Sequence, residues 1–542
     1  METNSIHMIA LFLFCGTMMA QDASSGQRPA DAVKFRVAGA VVSSVDGHPL
    51  ARAFIVLTNT KNVSDRQATL SSEDGHFEFK QVAKGKFSLE GSKPGFIPQA
   101  YDQHEQFSTA IVTSTDIPTE NLILRLVPAA VLSVKIIDES GEPVRKASIM
   151  LYREDRGTGV SRIENSRSGS TDDLGACDFA RIPPGTYFIG VTATPWYAMH
   201  LNGTIDNQSA SESRQFDVVY PPTYYGDTTE ADSAVPIGIR GGEQVEAEIR
   251  LSPVAALHLI FRLPENGSHG SVTPFLRKMG FDGADVPVMG GIWALSADSV
   301  EIGGISPGRY KVNLPGSAPT EIDIATDGQD LSQIRGEALS SVKASVRVLG
   351  GATLPHPFFV QLHGSDGKAM SGGTVDEKGE VTFADVPPGL YNVIAGGGGK
   401  NFFVVKVSVA GGQSLEHSLD VPAGVALDVS LSLIGDTVNV EGFVKREGKA
   451  VAGAMVVLVP KNPEQNRELF RRDQADLDGS FELRDVAPGA YSVLAIANGW
   501  HLDWSMPAVI EPYLKNGQNV MIGTRGGKSI TLPAPVEVTA AN

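Results

Sequence analysis

Cysteine is almost absent from this sequence of 542 residues, which contains only Cys15 and Cys177. Cys15 falls in an N-terminal segment that we expect to be removed on export, so Cys177 would remain alone, without a partner for an internal disulfide. Packing must therefore stabilise the fold. Export without disulfides fits a bacterial envelope or secreted protein better than a eukaryotic secreted one.

Basic charge is also scarce. Lys and Arg together number 45 against 62 Asp and Glu, which gives a formal net charge of -17 at pH 7. Binding to nucleic-acid phosphates or to anionic lipid requires clustered Lys and Arg. The charge balance therefore argues against nucleic acid as a partner.

The sequence has no apolar run long enough to cross a bilayer. The most apolar stretch runs from Met8 to about Ala20 and ends in small residues before the polar QDASSGQ, the layout of a cleaved export signal. We therefore predict a signal peptide at 1–20, a linker at 21–33 and no transmembrane span. The mature protein is expected in the periplasm, on the outer-membrane surface or outside the cell.

Catalytic motifs are missing as well. None of the 11 histidines is followed by Glu at the H-x-x-E spacing of a zinc carboxypeptidase. The sequence also has no H-E-x-x-H, C-x-x-C or P-loop pattern. We therefore predict no catalytic residues, no metal ligands and no cofactor, and we expect a protein that is not an enzyme.

Glycine and proline, by contrast, are plentiful at 58 and 32 residues, which indicates many turns between short strands. Five stretches share one pattern: FEFKQVAKGKFSL (77–89), CDFARIPPGTYFI (177–189), VEIGGISPGRYKV (300–312), VTFADVPPGLYNV (381–393) and FELRDVAPGAYSV (481–493). Each reads as an alternating strand, a turn and a second alternating strand. The copies recur about every 100 residues, the size of a small β-sandwich.

The shared positions of this motif suggest a structural role. They are the glycines Gly85, Gly185, Gly308, Gly389 and Gly489, and the aromatic residues Phe87, Tyr187, Tyr310, Tyr391 and Tyr491. We expect the glycine to supply a positive φ in a tight turn and the aromatic ring to face the core. Because the first copy has Phe and lacks the hydroxyl, the motif is interpreted as scaffold and not as a chemical site.

A second pattern precedes the motif in three copies. Gly47, Gly141 and Gly448 are each followed by an apolar residue at the third position and by Ala at the sixth, which predicts strand, turn and strand. Another turn follows in EDGHF, DLGAC, EKGEV and LDGSF. Cys177 occupies the position of Phe77 in the first copy, so we interpret it as a small core residue.

Together these patterns resemble the carboxypeptidase regulatory-like repeat, a transthyretin-like β-sandwich related in shape to collagen-adhesin B-type repeats and to carbohydrate-binding-like sandwiches. The resemblance touches most of the chain and is fullest in the first, second and fifth copies. In that family the module is accessory, so the resemblance implies no catalytic residues.

We therefore predict an all-β protein, a rod-like tandem array of four to five transthyretin-like or immunoglobulin-like β-sandwich domains after the signal peptide. Proline just after a last strand marks domain boundaries. The predicted domains are sandwich 1 at 34–128, sandwich 2 at 129–253, a divergent sandwich 3 at 254–337, sandwich 4 at 338–423, sandwich 5 at 424–534 and a tail at 535–542.

One long insertion, 192–236 in sandwich 2, interrupts the repeat pattern with aromatic residues among polar ones. Long ordered loops on sandwiches are often functional. Its aromatic residues either pack the insertion onto its own domain or contact a ligand, and the candidates for ligand contact are Trp196, Tyr197, Tyr224 and Tyr225. The pair Trp500 and Trp504 is open to the same two interpretations.

Two functions remain open from the sequence. The chain is either a cell-envelope binding or structural module that contacts glycans or envelope proteins, or an accessory, regulatory subunit of a separately encoded envelope peptidase or transporter. The first is the main hypothesis, with carbohydrate binding as its specific form.

Overall fold

The computed structural model describes residues 33–199, 214–262, 274–281, 284–288, 290–296, 299–314, 316–350, 353–364, 369–412, 414–435, 437–523 and 529–541. The predicted signal peptide, and the predicted linker except its last residue, lie outside these residues. Five β-sandwiches follow one another along the chain, which confirms the predicted all-β tandem array. No helix in the described ranges is long and apolar enough to cross a bilayer.

Sandwich 1 shows the plan that the others repeat. Its strands are β1 (Phe35–Ser43), β2 (Phe54–Asn59), β3 (Arg66–Leu70), β4 (His76–Val82), β5 (Gly85–Ser92), β6 (Phe96–Ile97), β7 (Gln99–Ala100), β8 (Ile111–Thr113) and β9 (Leu122–Pro128). One sheet has the order β4-β1-β9-β6, and the other has β3-β2-β5-β7 with β8 also paired to β5. The last strand β9 runs parallel to the first strand β1. Because side chains alternate along each strand, one face of each sheet fills a shared core.

Sandwich 2 adds the long insertion to this plan. Its strands are β10 (Ala130–Ile137), β11 (Ser148–Asp155), β12 (Arg162–Ser170), β13 (Ala176–Ile182), β14 (Gly185–Thr192), β15 (Val218–Val219), β16 (Thr223–Tyr224), β17 (Ile237–Ile239) and β18 (Gln244–Arg250). The sheets are β13-β10-β18, with β18 parallel to β10, and β12-β11-β14-β16 with β17 also paired to β14. The insertion also carries 3-10 turns at Arg214–Phe216 and Ala231–Ser233.

Sandwich 3, the divergent copy, is a full repeat. Its segment contains β19 (Val254–Ala255), β20 (Leu257–Arg262), β21 (Phe275–Phe281), β22 (Ala284–Pro287), β23 (Gly291–Ser296), β24 (Ser299–Ile305), β25 (Gly308–Asn313), β26 (Thr320–Ile324), β27 (Gln329–Asp330) and a 3-10 turn, Leu331–Gln333. Two four-stranded sheets, β23-β24-β20-β27 and β22-β21-β25-β26, enclose a core of their own. The short strand β19 instead pairs with β15 of the insertion in sandwich 2.

Sandwich 4 ends later than the sequence predicted. Its strands are β28 (Ser340–Val348), β29 (Phe358–His363), β30 (Ala369–Thr374), β31 (Glu380–Val386), β32 (Gly389–Gly397), β33 (Lys400–Val409), β34 (Ser414–Leu415), β35 (Ser418–Val421) and β36 (Ala426–Ile434). Strand β36 runs parallel to β28 and places Val429, Leu431 and Leu433 in the core of sandwich 4. The predicted boundary at residue 423 is therefore wrong. Pro422 precedes the closing strand instead of following it.

Sandwich 5 also extends further than predicted. Its elements are β37 (Val438–Arg446), β38 (Lys449–Ala450), β39 (Met455–Pro460), a 3-10 turn (Arg467–Leu469), β40 (Arg471–Gln474), β41 (Ser480–Val486), β42 (Gly489–Ala497), helix α1 (Pro507–Leu514), β43 (Gln518–Ile522), β44 (Ser529–Thr531) and β45 (Val536–Ala540). Strand β45 pairs in parallel with β37 and β42 and buries Val536 and Val538. Residues 535–541 are thus part of the sandwich, and the prediction of a tail is wrong.

The five sandwiches do not form an open rod, because sandwich 5 packs against sandwich 1. The ammonium of Lys86 lies 2.6 Å from the carboxylate of Asp476. The backbone of Ala110 donates to the same carboxylate over 3.0 Å and accepts from the amide of Leu477 over 3.0 Å. The first and last repeats are therefore in direct contact, and the expected rod shape is wrong.

Sandwich 5 touches sandwich 2 as well. The amide of Ser161 donates to the carboxylate of Asp503 over 2.8 Å, and the amide of Ser505 donates to the carbonyl of Gly159 over 3.0 Å. Gly159 has a φ of +84°, and a Cβ there would lie 2.4 Å from the side chain of Ser505. Only glycine permits this close approach between the two sandwiches.

Candidate functional site

In four of the five sandwiches, the tyrosine of the Gly-x-aromatic motif makes a hydrogen bond to the backbone of the turn that precedes it. Each tyrosine is buried and donates its hydroxyl proton to the backbone carbonyl four residues earlier. The bonds are Tyr187 to Pro183 at 2.8 Å, Tyr310 to Ser306 at 2.6 Å, Tyr391 to Pro387 at 2.7 Å and Tyr491 to Ala487 at 3.0 Å. Burial raises the pKa of Tyr310 and of Tyr491 to about 12. These hydroxyls are fixed structural donors, which supports the scaffold interpretation.

Sandwich 1 makes the same contact with a different residue. Phe87 has no hydroxyl, and the equivalent carbonyl, that of Ala83, accepts instead from the hydroxyl of Thr113 over 2.7 Å. Thr113 faces Gly85 across strands β5 and β8 and also accepts from the Gly85 amide over 2.9 Å. The other sandwiches have Ile or Val at this cross-strand position. A threonine on the neighbouring strand therefore replaces the missing tyrosine hydroxyl.

The shared glycine has the predicted positive φ in three copies, 157° at Gly185, 144° at Gly308 and 151° at Gly389, whereas Gly85 and Gly489 lie outside the positive-φ region. The αL conformation itself is adopted by another residue of the motif. The left-handed residue stands four positions earlier, and its φ is 61° at Gln81, 56° at Arg181, 76° at Gly304, 55° at Asp385 and 53° at Asp485. Each lies at a bulge between two paired strands. The sequence obscured this position because four of its five residues are not glycine.

The connection after the motif strand carries the insertions in every long repeat. In sandwiches 1, 2, 4 and 5 the motif strand pairs with a short strand that follows only after a long excursion, 93–110, 193–236, 398–417 and 498–517. Each excursion contacts another sandwich. Residues Trp500 and His104 illustrate this, since they belong to excursions of sandwiches 5 and 1 and stack with their ring centroids 4.8 Å apart.

Tyr224 and Tyr225 are packing residues. Tyr224 is 2% exposed and lies 5.1 Å, ring to ring, from Phe281 of sandwich 3, where burial raises its pKa. Tyr225 is half-buried against the core of sandwich 2. A buried ring has no face on which a ligand could stack, so Tyr224 is removed from the candidate site, and Tyr225 offers little surface.

Trp500 and Trp504 also pack at a junction. The guanidinium of Arg472 lies 5.3 Å from the Trp500 ring and 4.7 Å from the Trp504 ring. Trp500 also stacks against His104 of sandwich 1, and the indole N–H of Trp500 donates to the carbonyl of Gly453 over 3.2 Å. Of these contacts, the stacking on His104 joins sandwich 5 to sandwich 1 and the others lie within sandwich 5, where Trp504 is part of a buried cluster. The packing interpretation therefore applies to both tryptophans.

Trp196 and Tyr197 differ from the other aromatic residues. Trp196 is 86% exposed, the highest value among the large hydrophobic residues that the structure describes. Its ring meets Tyr197 edge to face at 5.6 Å, and Tyr197 meets Phe216 at 6.5 Å. We call these three residues the aromatic surface. Phe216 was not among the residues predicted from the sequence, and only its position in an aromatic-rich insertion could have indicated it.

Glu139 fixes the orientation of the aromatic surface. Its carboxylate accepts from the hydroxyl of Tyr197 and, over 3.0 Å, from the buried Tyr220. Desolvation and this hydrogen bond raise the pKa of Tyr197 to about 12. Tyr197 is therefore held as a neutral donor, and its ring is positioned before any ligand arrives.

Within the described part of the chain, no group of three or more His, Cys, Asp or Glu side chains is placed to hold a metal ion. Cys177 lies partly buried beside the core of sandwich 2, where burial and nearby Asp178 raise the pKa of its thiol. Its thiolate is disfavoured, in line with a packing role.

Comparison with known families identifies the first repeat. Residues 36–117 match the family model of the carboxypeptidase regulatory-like domain. The expected resemblance is confirmed there, and the other four sandwiches share the plan of sandwich 1 through their strand order and turn motif. No curated protein matches the sequence.

Several solved structures align with the tandem sandwiches. The minor pilin GBS52 of Streptococcus agalactiae is 11% identical and covers 43% of this chain and 99% of its own, with a TM-score of 0.21. The Bacillus anthracis TIE protein is 11% identical over 76% of both chains, with a TM-score of 0.18. Two B repeats of the Staphylococcus aureus collagen binding protein are 11% identical over 74% of this chain and 100% of theirs, with a TM-score of 0.12. At these TM-scores the alignments decide nothing about function.

Proposed function

We propose that this chain is an exported, non-catalytic module of the cell envelope that contacts a glycan through the aromatic surface of sandwich 2. The observation that carries the proposal is the 86% exposure of Trp196 beside an oriented Tyr197. A tryptophan in this position contributes nothing to a core and exposes apolar area to water, which is unfavourable unless a partner covers it.

The packing of the other aromatic residues supports the assignment of Trp196 to ligand contact. The motif rings fill the five cores, Tyr224 and Trp500 pack at junctions between sandwiches, and Trp504 is buried within sandwich 5. Only Trp196, of these residues, is left without a structural role. Its assignment to ligand contact therefore follows from the same packing argument that removes the others.

The chemistry of the surface suits a sugar. Aromatic side chains combine a flat apolar body with polar edges, and ligand sites pair an apolar floor with a few positioned polar groups. Trp196 offers the floor, and the carboxylate of Glu139 is bonded to the hydroxyl of the adjacent Tyr197. Because Glu139 already orients Tyr197, little conformational entropy is lost on binding.

The absence of a catalytic role is supported by the motif geometry. The tyrosine hydroxyls that recur through the chain are bound to backbone carbonyls within their own turns. They are not free to act as acids or nucleophiles. The motif tyrosine therefore recurs because each of these sandwiches needs the same hydrogen bond within its turn.

A glycan array tests the proposal. We expect the full chain to bind a subset of glycans and Trp196→Ala to weaken that binding at least tenfold, the loss typical of a central aromatic contact. Leu174→Ala is the matched control, since Leu174 lies in the same sandwich and is 72% exposed. Glycan binding that survives Trp196→Ala would overturn the assignment.

A pull-down from envelope extract separates the remaining outcomes. If no glycan binds and one envelope protein is retained by the wild type but not by Trp196→Ala, the surface serves a protein partner. Recovery of a peptidase or transporter in this way would favour the accessory-subunit hypothesis over the glycan proposal.

A further inference from the structure

His258 lies between two carboxylates at the junction of sandwiches 2 and 3. It stands on β20 of sandwich 3, with a side chain 15% exposed. Its Nε2 is 3.1 Å from Asp217, which belongs to the insertion of sandwich 2, and its Nδ1 is 2.9 Å from Asp327 of sandwich 3. One imidazole therefore bridges two domains.

The protonation state of His258 follows from this geometry. Carboxylates only accept hydrogen bonds, and a neutral imidazole has a single N–H, so it can donate to one of the two carboxylates. The imidazolium has two N–H groups, one bonded to Asp327 and one facing Asp217, where the 3.1 Å contact is an ion pair without hydrogen-bond geometry. Asp327 is fixed in place because the same carboxylate oxygen accepts from the backbone amide of His258 over 2.8 Å.

We propose that His258 is a pH-sensitive anchor, which holds the insertion of sandwich 2 against sandwich 3 while its imidazole is protonated and loosens this junction when the proton leaves. The insertion is attached at this point by backbone contacts as well. They are the short β15–β19 pairing and the hydrogen bond from the amide of Ala256 to the carbonyl of Asp217, 2.9 Å long.

Three carboxylates lie near His258. They are Asp217 and Asp327 in contact, and Glu301 on the adjacent strand β24. Burial lowers the pKa of His258, but the hydrogen bond to Asp327 and the charges of the three carboxylates outweigh it, so the pKa is raised above its usual value. When the ring loses its proton, the carboxylate of Asp217, with a side chain 9% exposed, loses this ion pair.

The sign of the pH effect follows. With a folded-state pKa above the unfolded value of about 6.5, the anchor contributes fully below pH 6.5 and is lost as pH rises through the raised pKa. The junction should therefore be tightest in mildly acidic conditions and looser in alkaline ones.

His417 provides an internal contrast. Its Nε2 is 2.9 Å from Glu468 and 3.0 Å from the carbonyl of Gln465, at the junction of sandwiches 4 and 5. The hydrogen bond of this nitrogen goes to the carbonyl of Gln465, so a neutral tautomer with a proton on Nε2 maintains it. The geometry at His417 does not demand a second N–H, unlike that at His258.

Amide hydrogen exchange of the full chain tests the anchor at the Ala256 amide. After correction for intrinsic exchange, protection of this amide should fall between pH 6 and pH 8.5, by up to about tenfold for each unit by which the His258 pKa is raised. His258→Gln should show the low protection at both pH values. His417→Gln, the matched control, should respond to pH at Ala256 as the wild type does.

A second variant keeps the test decisive if His258→Gln does not fold. Asp327→Asn removes a carboxylate that is 67% exposed. The single N–H of a neutral imidazole is then available to Asp217. We expect a clearly smaller pH response at Ala256 in this variant. Equal protection of the wild type at both pH values, or a full response in Asp327→Asn, would overturn the proposal.

The anchor also bears on the aromatic surface, because Phe216 directly precedes Asp217. Release of Asp217 would free Phe216 and weaken ligand contact in alkaline conditions. This consequence rests on the proposed function, whereas exchange at Ala256 does not. A pH response at Ala256 without any glycan binding would therefore leave the anchor standing and reject the glycan assignment alone.

Discussion

At the scale of single residues, a hydroxyl bonded to a turn carbonyl recurs in every sandwich, although its source varies. Tyrosine supplies the hydroxyl in four sandwiches, and Thr113 supplies it in the first. What the fold requires is thus a donor for a carbonyl in the turn between the two strands, such as that of Ala83 between β4 and β5. A phenylalanine in the motif is tolerated because the neighbouring strand compensates.

Substitutions at these donors give the first prediction. Tyr391→Phe should destabilise sandwich 4 by about 0.5 to 1.5 kcal/mol, the value of one hydrogen bond. Thr113→Val should destabilise sandwich 1 by about 1 to 3 kcal/mol, since the Gly85 amide loses its acceptor as well. Amide hydrogen exchange, measured for each sandwich at increasing urea concentration, gives both changes in stability.

A rescue experiment decides whether the two donors are equivalent. Phe87→Tyr added to Thr113→Val should restore part of the lost stability, because the new hydroxyl can reach the carbonyl of Ala83. If the double variant is no more stable than Thr113→Val alone, the two hydroxyls do not serve the same carbonyl.

Two glycines of sandwich 5 give the second prediction. Gly448 and Gly479 share a φ of +78°, but a Cβ at Gly448 meets nothing within 4 Å, whereas a Cβ at Gly479 would lie 2.6 Å from the carbonyl oxygen of Val444. Gly448→Ala should cost about 1 kcal/mol of strain, and Gly479→Ala about 2 to 4 kcal/mol. Calorimetry of the full chain compares them, and equal losses would show that the contact adds nothing to the φ strain.

At the scale of elements, insertions occur in one connection of the sandwich plan, and the inserted residues form contacts between sandwiches. This connection follows the motif strand, so its ends are held by a paired strand on either side, as Gly185 and Ile239 show. Residues between those ends can vary without disturbing the core. In this chain the freedom is used to contact neighbouring sandwiches.

The sequence predicted the strands and turns well because their signals are local. Period-2 alternation and the turn glycines Gly47, Gly141 and Gly448, all of positive φ, lie within a few residues of the elements that they specify. The closing strand β36 was assigned to the wrong sandwich, since a parallel strand gives the same alternation as the first strand of the next repeat. Surface residues such as Glu139 and His258 carried no local signal, because their roles depend on partners distant in sequence.

The junction of sandwiches 2 and 3 gives the third prediction. Tyr224→Ala removes a buried ring that contacts Phe281, and it should destabilise this region by about 3 to 5 kcal/mol. Trp196→Ala, on the exposed side of the same insertion, should change stability by less than about 0.5 kcal/mol. Thermal melts of the two variants check this, and a Tyr224→Ala protein that melts like the wild type would return Tyr224 to the candidate ligand surface.

At the scale of the whole molecule, the last repeat meets the first two, and a tandem chain therefore closes on itself. The contacts join residues far apart in sequence, such as Lys86 with Asp476 and Glu105 with Arg472. Each of these residues would be expected on a solvated face from the sequence alone. Closure covers surfaces of sandwiches 1 and 5 that an open array would leave exposed to other molecules.

Arg472 is the residue on which closure depends most. Its side chain is 2% exposed, its guanidinium lies 4.9 Å from the ring of Phe107, and it donates to both carboxylate oxygens of Glu105, all contacts with sandwich 1. Arg472→Ala should remove about 3 kcal/mol or more from the interface, because breaking a largely desolvated pair leaves one charge without compensation. We expect sandwich 5 to detach and the radius of gyration from small-angle X-ray scattering to rise, with the core of each sandwich intact.

Arg484→Ala is the control, since Arg484 is 73% exposed and pairs with Glu482 within its own sandwich, where such a pair contributes little. An unchanged radius of gyration in Arg472→Ala, together with unchanged hydrogen exchange at Ala110, would show that the remaining contacts, led by Lys86 and Asp476, are enough to close the chain without it.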